Sequence, residues 1–590
     1  MSETKRSPNR WVASAALACM GSLVLSAGAH AATQALQMAM PSPQVIQQQM
    51  ATYNEERPKN IIELQPFRAT ETAKLPFGQD AQLISLNPNV NSWFILQIGP
   101  WNLNTIFHLQ NPDPAGQSVA LEKGPEPAIL LTQNGKTFRC EPWKGDPWPL
   151  VTARESHQPF APICGGRLFL RNPSQGHWTR LEWTANFLRK NIIGGDMIVG
   201  FVKNTFFQDA FAETDKTVAQ DPGAGQDPVA AAGLQPAQSR HPLVLSRLGI
   251  DLVTKTPHRM VLGEWYPVAG VNGVFASAMQ PGEIDPAILH GPGRTNPLDT
   301  IESRSMDYFV AFDLSRFNLG YAMGASSPSL GWSERPPASV VNKALPGPDG
   351  ISNPAPVVPL GMMNPVLRPR LVATFTAGFK RRHGAFKVGP FAYKDHGTHY
   401  GFIQQGVIMS KLWPGLSTIF VMDDGSIHMR TWTEADNALL PHVRFARQNG
   451  VPLLERNPNG GAGIPGEYVA DSEKGNWSGA ANLSLRTLRA GACLLENNGK
   501  RFFVFAFFST ATPSAMARTF EGYGCRYAML LDMNALEHTY LALYDHSSGK
   551  TKIEHLLPGM AVVDKKENGH PLARFVDYPD NRDFFYMTLK

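Results

Sequence analysis

"GACLLENNGKRFFVFAFFSTATPSAMARTFEGYGCRYAMLLD", residues 491–532, sets the reading of the C-terminal fold. Two apolar runs meet at Asn498-Gly499, a pair suited to the positive φ angles of a two-residue hairpin turn. Thr512 then offers a side-chain N-cap and Pro513 a first-turn residue, so a helix is predicted, with Gly522 or Gly524 past its end. "CRYAMLLD" returns as a buried strand. Strand, capped helix and strand is the order of a crossover unit, and ligands in α/β sheets gather outside the carboxyl ends of strands. Asp532 stands at such an end, and Asn534, Glu537 and His538 follow within six residues before the chain turns apolar again.

A carboxylate ending a buried strand tends to have its pKa raised by desolvation, which suits acid/base chemistry near neutral pH. Asn534 can donate hydrogen bonds to a developing charge, and His538 can carry a second proton. The same residues also suit a plain turn, in which Asp and Asn bind their own backbone. Both readings stand at this point. Nearby, Arg486 and Arg489 enter the apolar hairpin and need partners there, and Asp532 is one if the two strands lie close.

A second cluster lies in "FTAGFKRRHGAFKVGPFAYKDHGTHYGF", residues 375–402. Lys380 and Arg381 could hold a phosphate, Arg through its planar fork and Lys as a point charge. Asp395, His396 and His399 are weak candidates for a divalent metal, because the surrounding glycines disfavour the helix or turn that would converge both imidazoles. A solvated loop accounts for the same residues. No cofactor is firmly implied.

Outward from these segments, the 590 residues exceed one compact core. Hydrophobic residues make up 43%, which argues for buried globular domains, and 52 Gly with 48 Pro argue for many turns and short strands. Net charge is only +5 and the longest basic run is "KRR" at 380–382, so the concentrated basic face of a nucleic-acid binder is missing. Residues 1–31 have the charged start, apolar core and small-residue end of a secretory signal peptide. The expected product is periplasmic or extracellular, with no later segment apolar enough to span a bilayer. In that compartment Cys140 with Cys164 and Cys493 with Cys525 are candidate disulfides, with buried free thiols the alternative.

The expected organisation is a polar leader at 32–59, a β-rich N-terminal domain at 60–211 and a flexible linker at 212–242. A middle β-rich segment at 243–332, a Pro-rich linker at 333–368 and a last domain at 369–590 follow. "QNGK" at 133–136 marks a hairpin, and "WTRLEWTANFLRKNI" at 178–192 has helical spacing. In the last domain "DDGS" marks another hairpin, while "PHVRFARQNGVP" at 441–452 is predicted to be a short helix that opens on Pro441.

The order of "TFTAGFK", "RQNGVPLL" at 447–454, the Arg-led "RAGACLLENNGKRFFVF" and "LLDMNALEH" resembles the phosphodiester glycosidase family over about 370–590. The resemblance implies an α/β (α+β) domain that hydrolyses a sugar phosphodiester, behind N-terminal all-β domains. It places Asp532 at the motif's acid, Arg489 at its arginine (Arg486 in a shifted register), and Gly378 with Phe379 in the early turn. Glycines and a serine expected after the acid are here Met533, Asn534, Ala535 and Leu536, which removes room for close backbone approach. The implied ligand is a sugar phosphate or polysaccharide. As an enzyme the chain would use Asp532 with Glu537 or His538; the alternative is an inactive relative that binds polysaccharide or another envelope component.

Overall fold

The computed structural model describes residues 38–55, 65–100, 105–191, 212, 233–254, 256–326, 358–379, 401–470 and 486–590. They are rich in strands, and the strands pair antiparallel in every sheet of the described residues.

Residues 491–532 form the hairpin, helix and strand that the sequence predicts. Strands Thr487–Asn497 and Lys500–Ala511 form the hairpin, with Asn498 at φ 49° and Gly499 at φ 76°. Helix Pro513–Gly522 follows, and the Thr512 side chain accepts from the Ala515 amide. Strand Tyr527–Met533 does not pair with the strand before the helix. It pairs with Thr487–Asn497, which lies between the two and antiparallel to both. The crossover therefore spans one intervening strand, and Asp532 and Ala511 end at the same edge of the sheet.

Residues 243–332 contribute strands to both large C-terminal sheets. Strands Val274–Met279 and Asp307–Asp313 extend the same eight-stranded sheet, Asp307–Asp313 pairing with Lys500–Ala511. Strand Phe317–Ala322 instead joins a five-stranded sheet with Phe584–Leu589, Leu371–Thr376, Leu541–Asp545 and Lys552–His555. The two sheets pack face to face. Phe375 of one lies 5.6 Å from Phe503 and 5.4 Å from Phe505 of the other, ring centre to ring centre, within the range of favourable aromatic pairs.

A third sheet, five-stranded, contains Val443–Gln448 between Phe402–Gln404 and Ser417–Met422. The short helix expected at 441–452 is thus a central strand. Pro441 lies inside the preceding 3-10 helix Glu434–His442 rather than opening an α-helix, and a strand buried on both faces lacks the period that separates it from a helix.

The N-terminal part is β-rich, as expected. It has a six-stranded sheet and a three-stranded one that includes the Asn134-Gly135 hairpin. Both disulfides are present, Cys140–Cys164 and Cys493–Cys525. Apolar residues are packed within three stretches that read as polar in the sequence. The leader at 32–59 contains helix Pro43–Glu55, whose Tyr53 is buried in one cluster with Ile403 of the third sheet and with Leu412 and Trp432 just past its strands. The linker at 212–242 is already packed by Leu234 and Ala237, and that at 333–368 by Leu360 and Met363. In each case a few apolar side chains dock a stretch that composition alone marks as polar. Among the described residues no helix is long and apolar enough to cross a membrane.

Candidate active site

Residues 532–540 carry the chain from the eight-stranded sheet to the five-stranded one, since Tyr527–Met533 belongs to the first and Leu541–Asp545 to the second. The polar interruption is the crossing at the end of the sandwich. Asn534 takes φ 79°, donates its amide to the Leu488 carbonyl at 2.8 Å and accepts from Thr487 Oγ1 at 3.1 Å. Asn is one of the few residues other than glycine that visits this conformation readily. Asn534 thus shapes the turn through its backbone, while its side chain meets the neighbouring strand rather than its own backbone.

Asp532 is 5% exposed. Its Oδ1 accepts from the Met533 amide at 2.9 Å, and its Oδ2 is paired with Arg582. Arg582 reaches three groups: Nη1 meets Asp532, Nε meets Glu182, and Nη2 donates to His538 Nε2 at 2.7 Å. With Nε2 accepting, the imidazole proton lies on Nδ1, which donates to the Met533 carbonyl at 2.9 Å. His538 is thereby held between a guanidinium and a carbonyl, and acts in this conformation as a positioning group. Asp532 is an ion-paired carboxylate, and its partner is Arg582 rather than Arg486 or Arg489.

Glu182 comes from helix Arg180–Asn191, roughly 350 residues earlier in the chain than Asp532. A parallel bridge between His177 and Asp580 pins the start of this helix to the site. Gly176 makes that contact feasible, because a Cβ there would lie 2.7 Å from the Asn581 backbone. Thr179 and Glu182 then form a reciprocal cap: the Glu182 amide donates to Thr179 Oγ1 at 3.2 Å, and the Thr179 amide donates to Glu182 Oε2 at 3.4 Å. Thr179 Oγ1 also donates to Glu537 Oε1 at 2.7 Å, and Asn581 Nδ2 donates to Glu182 Oε2 at 3.1 Å. Thr179→Ala is expected to lower stability by about 1 kcal/mol, and Thr179→Ser to retain most of it, in thermal melts.

Burial alone would raise the Glu182 carboxyl, but Arg582, with Arg574 behind it, outweighs burial and holds it well below the usual range. A carboxylate with a depressed folded pKa adds stability that is full above its unfolded value and fades as pH falls through the folded one. Wild type is therefore expected to lose melting temperature more steeply than Glu182→Gln as pH falls below about 4.5. Parallel acid limbs in the two melting series would contradict this.

Two further ion pairs brace the site. Arg574 meets Asp580 through Nε at 2.8 Å and Nη2 at 3.1 Å, and its Nη1 donates to the Glu537 carbonyl at 2.6 Å. Asp583 Oδ2 accepts from Arg447 Nε at 2.7 Å and from the Tyr321 hydroxyl at 2.9 Å. Burial raises the Asp583 carboxyl above its usual range, against the opposing pull of Arg447.

The early turn and the "RQNG" segment arrive at the same place. Arg447 Nη2 donates to the Phe379 carbonyl at 2.6 Å, and the Phe379 amide donates to Asn449 Oδ1 at 3.1 Å. Asn449 Nδ2 donates to the carbonyls of Leu530 and Leu531, immediately before Asp532. A Cβ on Gly378 would lie 3.0 Å from Asn449 Oδ1, so this glycine allows the approach.

Arg489 sits opposite Met533 in the sheet, next to the acid, but it does not pair with Asp532. Its Nε donates to the Ala511 carbonyl at 2.8 Å and its Nη1 lies 3.4 Å from Met533 Sδ. Burial lowers it to about 10. Arg486 meets Asp299 at 2.5 Å. The phosphate-binding candidates Lys380 and Arg381 and the metal candidates Asp395, His396 and His399 lie outside the described residues.

Arg582, Asp583, Glu182, Arg574 and Asp580 were not singled out from sequence. The signals were "DNRDFF" at 580–585, a dense charged run before an apolar strand, and the T-x-x-E cap signature at 179–182.

No protein-family model matches the chain, and no curated protein matches it. Among solved structures, one similar chain is the zebrafish N-acetylglucosamine-1-phosphodiester alpha-N-acetylglucosaminidase catalytic domain, auto-inhibited by pro-peptide. It shows 8% identity and a TM-score of 0.26 over 64% of this chain and 97% of that one. A hypothetical protein from Synechocystis shows 10% identity and a TM-score of 0.25 over 88% and 98%. At such scores neither alignment carries an argument about this chain.

Proposed function

We propose that the protein is an exported hydrolase of a glycosyl phosphodiester, with Asp532 as its acid/base group. The observation that supports this reading is convergence. Residues 376–379, 447–449 and 530–538, which the family resemblance picks out from distant parts of the sequence, touch one another at the end of the sandwich. Arg582 adds a guanidinium beside the acid, a group whose planar fork matches a phosphate. The left-handed Asn534 keeps the glycine-favoured bend of the turn.

In the proposed reaction the bond between the anomeric carbon and the phosphate oxygen breaks. A water oxygen bonds to that carbon, and the water's proton passes to the Asp532 carboxylate as the phosphomonoester leaves. Arg582 would neutralise the departing anion, and His538 and Asp532 would hold that guanidinium in place. Because Asp532 and Glu182 are each 5% exposed, substrate entry requires the start of helix Arg180–Asn191 to shift. Export is supported by the signal-like N-terminus and by two disulfides, which persist in oxidising compartments.

A second reading, a non-catalytic binder of polysaccharide, is favoured by one observation. Met533 and Ala535 fill positions where the resemblance has glycines, and both are buried. A panel of sugar-1-phosphodiesters, assayed with and without chelator, separates the readings. Turnover is expected; binding without turnover by folded protein would replace the enzyme with the binder, and chelator sensitivity would implicate Asp395, His396 and His399.

A further inference from the structure

A separate group of cations lies where the N-terminal β unit meets the C-terminal sheets. Arg171, which ends strand Leu168–Arg171, is 2% exposed. Its Nε and Nη2 donate to the Val358 carbonyl at 3.2 and 2.8 Å, and its Nη1 donates to Gln110 Oε1. The Trp93 ring lies 3.9 Å from its guanidinium carbon. Arg444 is half-buried, and its Nε donates to Gln405 Oε1 at 3.3 Å. All these partners are neutral, and no carboxylate of the described residues forms an ion pair with either arginine. Each guanidinium offers five N–H donors, so several remain for a ligand.

The two arginines share one neighbourhood. Ser92, next to the Trp93 that underlies Arg171, donates to Gln405 Oε1 at 2.7 Å, the same oxygen that receives Arg444. The Tyr586 phenol lies within electrostatic reach of both guanidiniums. Its ring crosses Gly320, where a Cβ would come 2.1 Å from Tyr586 Cζ and 2.5 Å from its hydroxyl, so the glycine clears the space. His108, beside Arg171, is kept neutral: burial, with help from Arg171, lowers it to about 3. The cluster thus holds two cations and one phenol; the Asp113 carboxylate lies within electrostatic reach of Arg444 but forms no ion pair with it. Burial also pulls Arg171 down to about 9. Burying charge without a partner costs several kcal/mol, and junctions between structural units are frequent ligand sites.

We propose that Arg171, Arg444 and the Tyr586 hydroxyl form an oxyanion site at this junction, one that takes a phosphate or carboxylate group. The site is independent of Asp532.

The test is a series of thermal melts of the full chain at fixed ionic strength, titrated with inorganic phosphate or with glucuronate against a chloride control. A saturable rise in melting temperature is expected for wild type and for Asp532→Asn. Half-saturation should weaken at least about fivefold in Arg444→Gln and in Tyr586→Phe, the loss of roughly one charge-assisted or neutral hydrogen bond. A response to phosphate alone identifies a tetrahedral ligand and a response to glucuronate alone a planar one; either supports the site. Two variants keep the test open if one fails to fold. No saturable response in either arm, or an unchanged response in both variants, overturns the proposal.

Discussion

Arg582→Met is expected to destabilise the protein by about 3–5 kcal/mol, the range for removing one partner of a buried ion pair. The cost arises from what is left behind. Arg582 is 4% exposed and contacts both Asp532 and Glu182, so its removal strands two carboxylates with little access to water. His538 also loses the donor to its Nε2. Arg582→Lys should fall between, because a single ammonium cannot reproduce a three-way guanidinium contact. Adding Glu182→Gln to Arg582→Met should recover part of the loss, since neighbours in one network couple by about 0.5–3 kcal/mol. Denaturant unfolding of wild type, Arg582→Met, Glu182→Gln and the double variant gives the cycle. A loss below about 1 kcal/mol, typical of an exposed pair, would mean the cluster is far wetter than its burial indicates.

The parts of this architecture that local chemistry controls were legible in the sequence. Asn498-Gly499 and Asn134-Gly135 supplied the φ angles that two-residue hairpins require, and Thr512-Pro513 capped a helix as expected. The position of Asp532, at the end of a buried strand and before a polar crossing, was legible for the same reason. What was not legible depends on contacts over long separations. Glu182 and Arg582 stand 400 residues apart, and nothing local to "TRLEW" announces that its capping glutamate also binds a distant guanidinium. Arg489 illustrates the converse. An arginine in an apolar strand needs a partner, and the nearest carboxylate in the sheet register was expected to provide it; instead Asp532 turns to Arg582 while Arg489 meets the Ala511 carbonyl. The segment 441–452 reads as helix in the sequence because a strand buried on both faces carries no alternation, and its Arg447 is buried with Asp583 and two carbonyls as partners.

The placement of Glu182 bears on how the proposed chemistry would run. The Arg582 edge that would meet a substrate anion already holds a carboxylate from the helix, so binding would exchange one anion for another rather than fill a vacant cation. Such an exchange makes affinity sensitive to the helix start and leaves the Asp532–Arg582 contact intact.

In the proposed reaction Asp532 takes the proton as a glycosyl phosphodiester is hydrolysed. Turnover of a sugar-1-phosphodiester by the full chain, measured beside Asp532→Asn, decides between this role and none. The substitution keeps the shape of the side chain, so melting curves can verify that the variant is folded. Loss of turnover by about 10²–10⁴-fold is expected, the usual contribution of a positioned acid/base group. Equal turnover by the two folded proteins would contradict the claim.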